Sequence, residues 1–373
     1  MKYTDKKNNY MSKVIKTATI TFQNTNNFGA ALQCYALQNV IKQIGAENEV
    51  LNYTSPFLNK SYKLSVMKEK GFVRYILGMA YALLRAPRNK AFIRFRKKLS
   101  LSKELDKENI HTIQDNYDLF ISGSDQVWNG SLVGYDDTYF LGFVKDKRKK
   151  ASYAASFGFL NIPDNLKAKY RELLGTYQYY NVRETSGVSI IKDLLGVDAN
   201  LTVDPTLLLG RENWEKIMVL PKEKNKYILV YQISPSSKLI EVVKKLKATT
   251  GYKVVAVPFI MGPYFAYTPK PTLGPAEWLG LFANASYVVT DSFHGTAFSM
   301  IFNKNVWCCV PKTESRINGF LNLVGVPDRL LYPDTTIPGD LEKPIDFGQT
   351  NDVLSNIRKN GMEILKHMIY DRE

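Results

Sequence analysis

Short β-branched runs alternate with helix-spaced apolar residues along almost the whole chain. Residues 14–22, VIKTATITF, have the composition of a strand. After the turn QNTNNFG, Leu37, Val40, Ile41 and Ile44 fall at i, i+3, i+4 and i+7, and Gly45 supplies a stop. ENEVLNY returns to strand, so the chain opens β-α-β. Residues 64–98 read as helical and basic, 117–124 and 151–158 as strands, and 164–179 as a helix leading into YNVRE. After Leu209 the pattern restarts: KYILVYQI is a strand, SSKLIEVVKKLKATTG an amphipathic helix ended by Gly251, and YKVVAVPF, GPAEWLGLFANA, SYVVT, GTAFSMIFN and NVWCCV continue the alternation. The pattern predicts an α/β protein with two Rossmann-like doubly wound domains facing each other. Their expected bounds are 13–209 and 210–350, with a final helix over 352–369 packing back on the first domain.

Length and charge refine this picture. A chain of 373 residues suits two domains, and 45% hydrophobic content supplies their cores. The formal net charge of +15 points to anionic partners. Much of the excess lies in residues 61–100, where Lys and Arg recur against the single acid Glu69. Two readings stay open for that stretch, a solvated helical face or docking on an anionic membrane surface. Nucleic acid is not expected as a partner, because the run lacks Gly-rich or aromatic-interleaved signatures and its apolar residues keep helical spacing. Cys34, Cys308 and Cys309 do not make a disulfide framework. The polar N-terminal stretch is unlike a signal peptide, and no apolar run approaches the roughly 18 residues of a membrane span. These features point to a cytoplasmic protein, with peripheral contact at the inner face of the membrane as the open alternative.

Candidate chemistry gathers where strands end, the place where open parallel sheets bind ligands. Residues 291–295, DSFHG, follow a strand and open a helix, whose amides and dipole favour an anion. Ser292 suits a cap or a phosphate donor, His294 a hydrogen-bond donor or proton carrier, and Gly295 an open turn. The plain alternative is capping alone, with His294 packed at the first turn. ISGSDQVWN repeats the logic in the first half, with Ser124, Asp125 and Gln126 at a strand end. Trp128 is either a sugar-stacking platform or a core anchor. NTNNFGAALQ is a third junction, placing Asn26, Asn27 and Gly29 at a helix start. Arg183 follows another strand and suits a carboxylate or phosphate, or a local ion pair with Glu184. No G-x-G-x-x-G, Walker A, H-E-x-x-H or C-x-x-C motif occurs, and His111, His294 and His367 lie too far apart in sequence to suggest a metal site.

Together, TATITFQNTNNFGAALQCYALQNVIKQIG, YDLFISGSDQVWN, SYAASFG, VRETSG, VDPTLLL and VVTDSFHGTAFSMIFNK resemble the polysaccharide pyruvyl transferase family, in the family's order over about residues 17 to 310. The resemblance implies a GT-B-like pair of domains. It also implies transfer of pyruvate from phosphoenolpyruvate to two hydroxyls of a cell-surface sugar, with a cyclic ketal and phosphate as products. Phosphoenolpyruvate is then the donor substrate, no cofactor or metal is called for, and the acceptor is a glycan or lipid-linked oligosaccharide. On this reading His294 delivers a proton, with Arg183, Ser292, Gly295, Thr296 and Arg316 on the donor side. Asp125 is the candidate base for a sugar hydroxyl, with Asn27, Ser124, Gln126 and Trp128 on the acceptor side. Some members carry Ser-Arg-Leu-His where this chain has Asp291-Ser292-Phe293-His294, so donor binding falls to Arg183, Arg316 or Lys312. A nucleotide-sugar glycosyltransferase and a non-catalytic glycan-binding protein are the alternatives.

Overall fold

The structure, a computed structural model, describes residues 14–61, 86–223, 225–258, 268–269, 273–311 and 315–371. In the first half, β1 (Lys16–Ile20), β2 (Glu47–Tyr53), β3 (Leu101–Leu105), β4 (Leu119–Ser122) and β5 (Lys150–Ser152) form one sheet in the order β3-β2-β1-β4-β5. All its pairings are parallel. The short strands β6 (Asn181–Val182) and β7 (Asn200–Leu201) pair beside it, joined by single bridges from Ala151 to Tyr179 and from Ala155 to Val182. The run read as a strand over 151–158 is cut to three residues. Ala154 turns left-handed at φ 52°, which breaks the ladder beyond Ser152. The helix expected over 164–179 ends at Leu174, with Gly175 as its cap.

The second half forms a parallel sheet of β8 (Tyr227–Gln232), β9 (Lys253–Pro258), β10 (Thr268–Pro269), β11 (Tyr287–Thr290), β12 (Asn305–Cys309) and β13 (Leu330–Leu331), in the order β10-β9-β8-β11-β12-β13. In both sheets the strand order reverses beside the first strand, between β1 and β4 and between β8 and β11. Loops that leave the carboxyl ends of such neighbours diverge and open a crevice.

The two halves share a core. Leu32 and Leu37 of the helix Phe28–Gln43 belong to the same buried cluster as Trp278 and Phe298 of the second half. Phe28 stacks on Trp278 with ring centroids 5.5 Å apart. The helix Phe293–Ile301 is buried from Gly295 to its end, because it lies between its own sheet and the first half rather than under solvent. The last helix, Phe347–Tyr370, begins against the second half, where Thr350 donates to the Val324 carbonyl at 3.1 Å. It ends against the first, where Tyr370 donates to the Ile44 carbonyl at 3.0 Å. It therefore joins the two bodies.

Residues 62–85 of the basic stretch lie outside the described residues, so the membrane-docking reading applies there only as an expectation. Of the remainder, residues 86–96 are helical. Arg88 does not belong to a solvated face: it is 5% exposed, lies 4.6 Å from the Phe28 ring centroid and donates to the Asn26 carbonyl at 3.1 Å. Among the described residues no helix is long and apolar enough to cross a membrane. Cys34, Cys308 and Cys309 are buried free thiols.

Candidate functional site

A cavity of about 530 Å³ opens where the crevices of the two sheets meet. Asn27, Asp125, Gln126 and Arg183 line it from the first half, and Asp291, Ser292, His294 and Arg316 from the second. Asn27 is the extended N-cap of the helix Phe28–Gln43, and its side chain accepts from the Ala30 amide at 3.2 Å. Two residues on, Gly29 is needed for closeness. A Cβ there would stand 2.2 Å from Nδ1 of His294, so the imidazole of the second half rests against bare backbone of the first.

Asp125 follows β4 with φ 78°, a left-handed backbone that aspartate tolerates through local hydrogen bonding. Its Oδ1 accepts from the Gln126 amide at 2.9 Å, and its carbonyl accepts from the Ser156 amide at 3.0 Å. Arg183 leaves the end of β6 with its side chain 5% exposed. Its Nη1 lies 3.0 Å from Asp204 and its Nε 3.8 Å from Glu184. Burial opposes its charge, but Asp204, Asp125 and Glu184 outweigh that and raise the guanidinium above its ordinary value.

Asp204 is the residue that sequence reasoning missed. It is fully enclosed, with Oδ1 accepting from the Thr206 amide at 3.0 Å and the Thr206 hydroxyl at 2.8 Å. Its Oδ2 accepts from Arg183 Nη1 at 3.0 Å and from the Ser124 hydroxyl at 3.3 Å, and faces His294 Nε2 at 3.5 Å. Burial alone would raise this carboxyl; His294 and Arg183 outweigh it and hold it well below the usual carboxylate range. An aspartate before proline reads locally as a turn cap, and Asp204 does cap the turn Pro205–Leu207. Its second oxygen has partners that no local pattern shows.

On the second half, Ser292 is the N-cap of the helix Phe293–Ile301 and accepts from the Gly295 amide at 3.3 Å. Asp291 fastens the loop after β8 by accepting from the amides of Ile233 and Ser234, both at 2.7 Å. Burial pushes its carboxyl up, against the pull of those amides. His294 stands between the halves, its side chain 16% exposed and its Nε2 buried toward Asp204.

Four expected site residues are placed elsewhere. Trp128 is fully buried and packs on Phe157 and Tyr177, so it is a core anchor with no open face for a sugar. Ser124 is also fully buried and donates to Asp204 behind the cavity wall. Gly295 and Thr296 lie inside the helix. Their amides are engaged by the Ser292 hydroxyl and carbonyl, which corrects the expectation that they cradle a phosphate. Lys312 falls outside the described residues. Among the described residues no cluster of three His, Cys, Asp or Glu side chains is placed to hold a metal ion.

Two facing parallel sheets with a polar cavity at their shared crevice define a GT-B-like α/β protein. The family model for polysaccharide pyruvyl transferase matches residues 27–313, and the chain belongs to that family of transferases. No curated protein sequence matches it. The chain is similar in structure to a Listeria monocytogenes protein described as a UDP-N-acetylglucosamine 2-epimerase, at 10% identity over 95% of this chain and 96% of that one, with a TM-score of 0.55. Staphylococcus aureus MnaA with UDP aligns at 12% identity over 96% and 90% of the two chains, TM-score 0.49. Escherichia coli heptosyltransferase WaaC with ADP-2-deoxy-2-fluoro heptose aligns at 13% identity over 93% and 100%, TM-score 0.40. At 10% identity the likeness to the Listeria protein speaks to fold alone.

Proposed function

We propose that the chain transfers pyruvate from phosphoenolpyruvate to two hydroxyls of one sugar in a cell-surface glycan or its lipid-linked precursor. The observation that carries this reading is the meeting, at one cavity, of Arg183 and Asp125 from the first half with His294 from the second. A buried, charged guanidinium suits the carboxylate or phosphate of the donor. The protonated His294 gives a proton to the donor's methylene carbon, which becomes the methyl group. Asp125 takes the proton of the first sugar hydroxyl as its oxygen bonds to the central carbon. Phosphate then leaves with the carbon–oxygen bond pair, the second hydroxyl closes the ketal, and its proton leaves with phosphate. The scheme balances without a redox cofactor or a covalent enzyme intermediate. Where some family members carry an arginine, Ser292 is occupied as a helix cap, so donor binding falls to the described cations that line the cavity, Arg183, Lys238 and Arg316.

Phosphate release from phosphoenolpyruvate with a panel of glycosyl acceptors tests the reading. His294→Ala is expected to lower turnover by about a hundredfold. A folded variant that turns over at the wild-type rate would reduce His294 to a helix-start residue. Asp125→Asn should keep donor binding and lose acceptor use. Thermal shifts separate this activity from nucleotide-sugar transfer: phosphoenolpyruvate should stabilise the protein where UDP and ADP do not.

The same reading places the acceptor at the inner, cytoplasmic leaflet, with the basic stretch 61–100, apart from the buried Arg88, as the docking element, at about 1 kcal/mol per basic residue near an anionic surface. Co-sedimentation with anionic vesicles should then weaken with salt. Equal binding to neutral vesicles, without salt dependence, leaves that stretch a solvated face.

A further inference from the structure

We infer that Asp204 is a positioning residue for His294: it keeps the ring's proton on Nε2 and leaves Nδ1 as the nitrogen that exchanges a proton with the substrate. The inference rests on the reading of His294 as proton carrier. Three observations support it.

The first is the division of labour between the two carboxylate oxygens. Oδ1 is fixed by the amide and hydroxyl of Thr206, both within its own turn. Oδ2 is thereby aimed across the joint between the halves, where Arg183 Nη1, the Ser124 hydroxyl and His294 Nε2 surround it. A purely structural ion pair would be complete with Arg183 alone.

The second is the state of Nε2. It is buried without a hydrogen-bond partner, and the Asp204 oxygen at 3.5 Å faces it. A buried imidazole nitrogen without a partner is costly. A small tilt of the ring closes the gap, as catalytic hydrogen bonds do when a ligand binds. An anionic oxygen accepts only, so the nitrogen that faces it must carry the hydrogen.

The third is Gly29. The ring's other nitrogen, Nδ1, lies where a Cβ of residue 29 would stand, so the chain keeps that position free of a side chain. The ring has a carboxylate at its Nε2 edge and bare backbone against its face beside Nδ1.

The proton account follows. In the charged ring both nitrogens carry hydrogen. The Nδ1 proton passes to the donor's methylene carbon, the Nε2 proton stays opposite Asp204, and the neutral ring left behind is the Nε2–H tautomer. No bond to Asp204 forms or breaks.

Nitrogen-15 spectra of the full-length, histidine-labelled protein read the tautomer directly, with the His294 signals assigned by their loss in His294→Gln. At a pH where the ring is neutral, the wild type should show His294 as the Nε2–H form. Asp204→Asn should move it toward the Nδ1–H/Nε2–H mixture of a free imidazole. The same variant should lower kcat by about a hundredfold while affinity for phosphoenolpyruvate stays within about threefold. A wild-type ring in the Nδ1–H form overturns the proposal. So does a variant that loses donor affinity and keeps kcat, since Asp204 would then serve Arg183 alone. If Asp204→Asn does not fold, the wild-type spectrum still decides. If the protein turns over no phosphoenolpyruvate, the proposed reaction fails, and the spectrum judges Asp204 separately.

Discussion

Gly29 has no side chain, and His294 occupies the space a methyl group would need. Gly29→Ala separates geometry from stability. Alanine is better than glycine within a helix by about 0.5–1 kcal/mol, so propensity alone would raise stability. What stands in the way is the His294 ring, with Nδ1, Cε1 and Cγ all under 3 Å from that Cβ, so the ring must turn aside from its place. The expected outcome is a fall in phosphate release of about tenfold or more, the scale for a misplaced catalytic group, with a thermal midpoint within a few degrees of wild type. Unchanged turnover would show that the ring needs no support from this contact. Legibility at this scale is uneven. Ser292 was readable as a cap from residue type and position, and it caps; Asn27, read only as lying at a helix start, caps as well. Trp128 was ambiguous, because the same ring serves a core or a sugar and only burial tells them apart. Gly29 was legible only as part of a helix start and Asp204 only as part of a turn; the role of each depends on a partner from a distant part of the chain.

At the scale of elements, the helix Phe347–Tyr370 is held to the first half by close packing. A Cβ on Gly361 would lie 2.6 Å from Leu208 Cδ2 and 3.0 Å from the Tyr153 hydroxyl. Gly361→Leu overfills that contact and is expected to lower the urea-unfolding free energy by about 1–3 kcal/mol. A variant as stable as wild type would mean that the helix can slide without cost. The helices were readable from apolar period and from stops such as Gly251, which ends Ser237–Thr250 in a left-handed cap. Strand lengths were less readable. The apolar residues after Ser152 suit a strand, but the left-handed turn at Ala154 sends them into single bridges instead.

At the scale of the whole molecule, Asp204 and His294 link the two halves electrostatically, and acid should weaken that link. The Asp204 carboxyl is depressed in the folded protein, because its cationic neighbours outweigh its burial. Its contribution to stability is therefore full above the ordinary aspartate value of about 3.9 and is lost as pH falls from there toward the folded value. Asp291, raised by burial, has the opposite sign, but it is common to wild type and variant. The stability gap between wild type and Asp204→Asn in urea titrations should narrow as pH falls below about 4. A gap that does not change with pH would mean that the carboxylate's charge contributes nothing.

By itself the sequence determined the parallel strand–helix alternation, the restart after Leu209, and the loops at strand ends where ligands gather. These follow from periodicity and turn chemistry, which act over a few residues and leave local traces. Only the tertiary structure decided which side chains of those loops face the cavity, so that Asp125 lines it and Ser124 turns behind it to Asp204. Only the structure decided, too, that an aspartate in a proline turn and a histidine at a helix start share one buried contact. The physical reason is range. Period and propensity are properties of neighbours in sequence, whereas burial, close approach and the field at a buried oxygen depend on which surfaces the two sheets bring together.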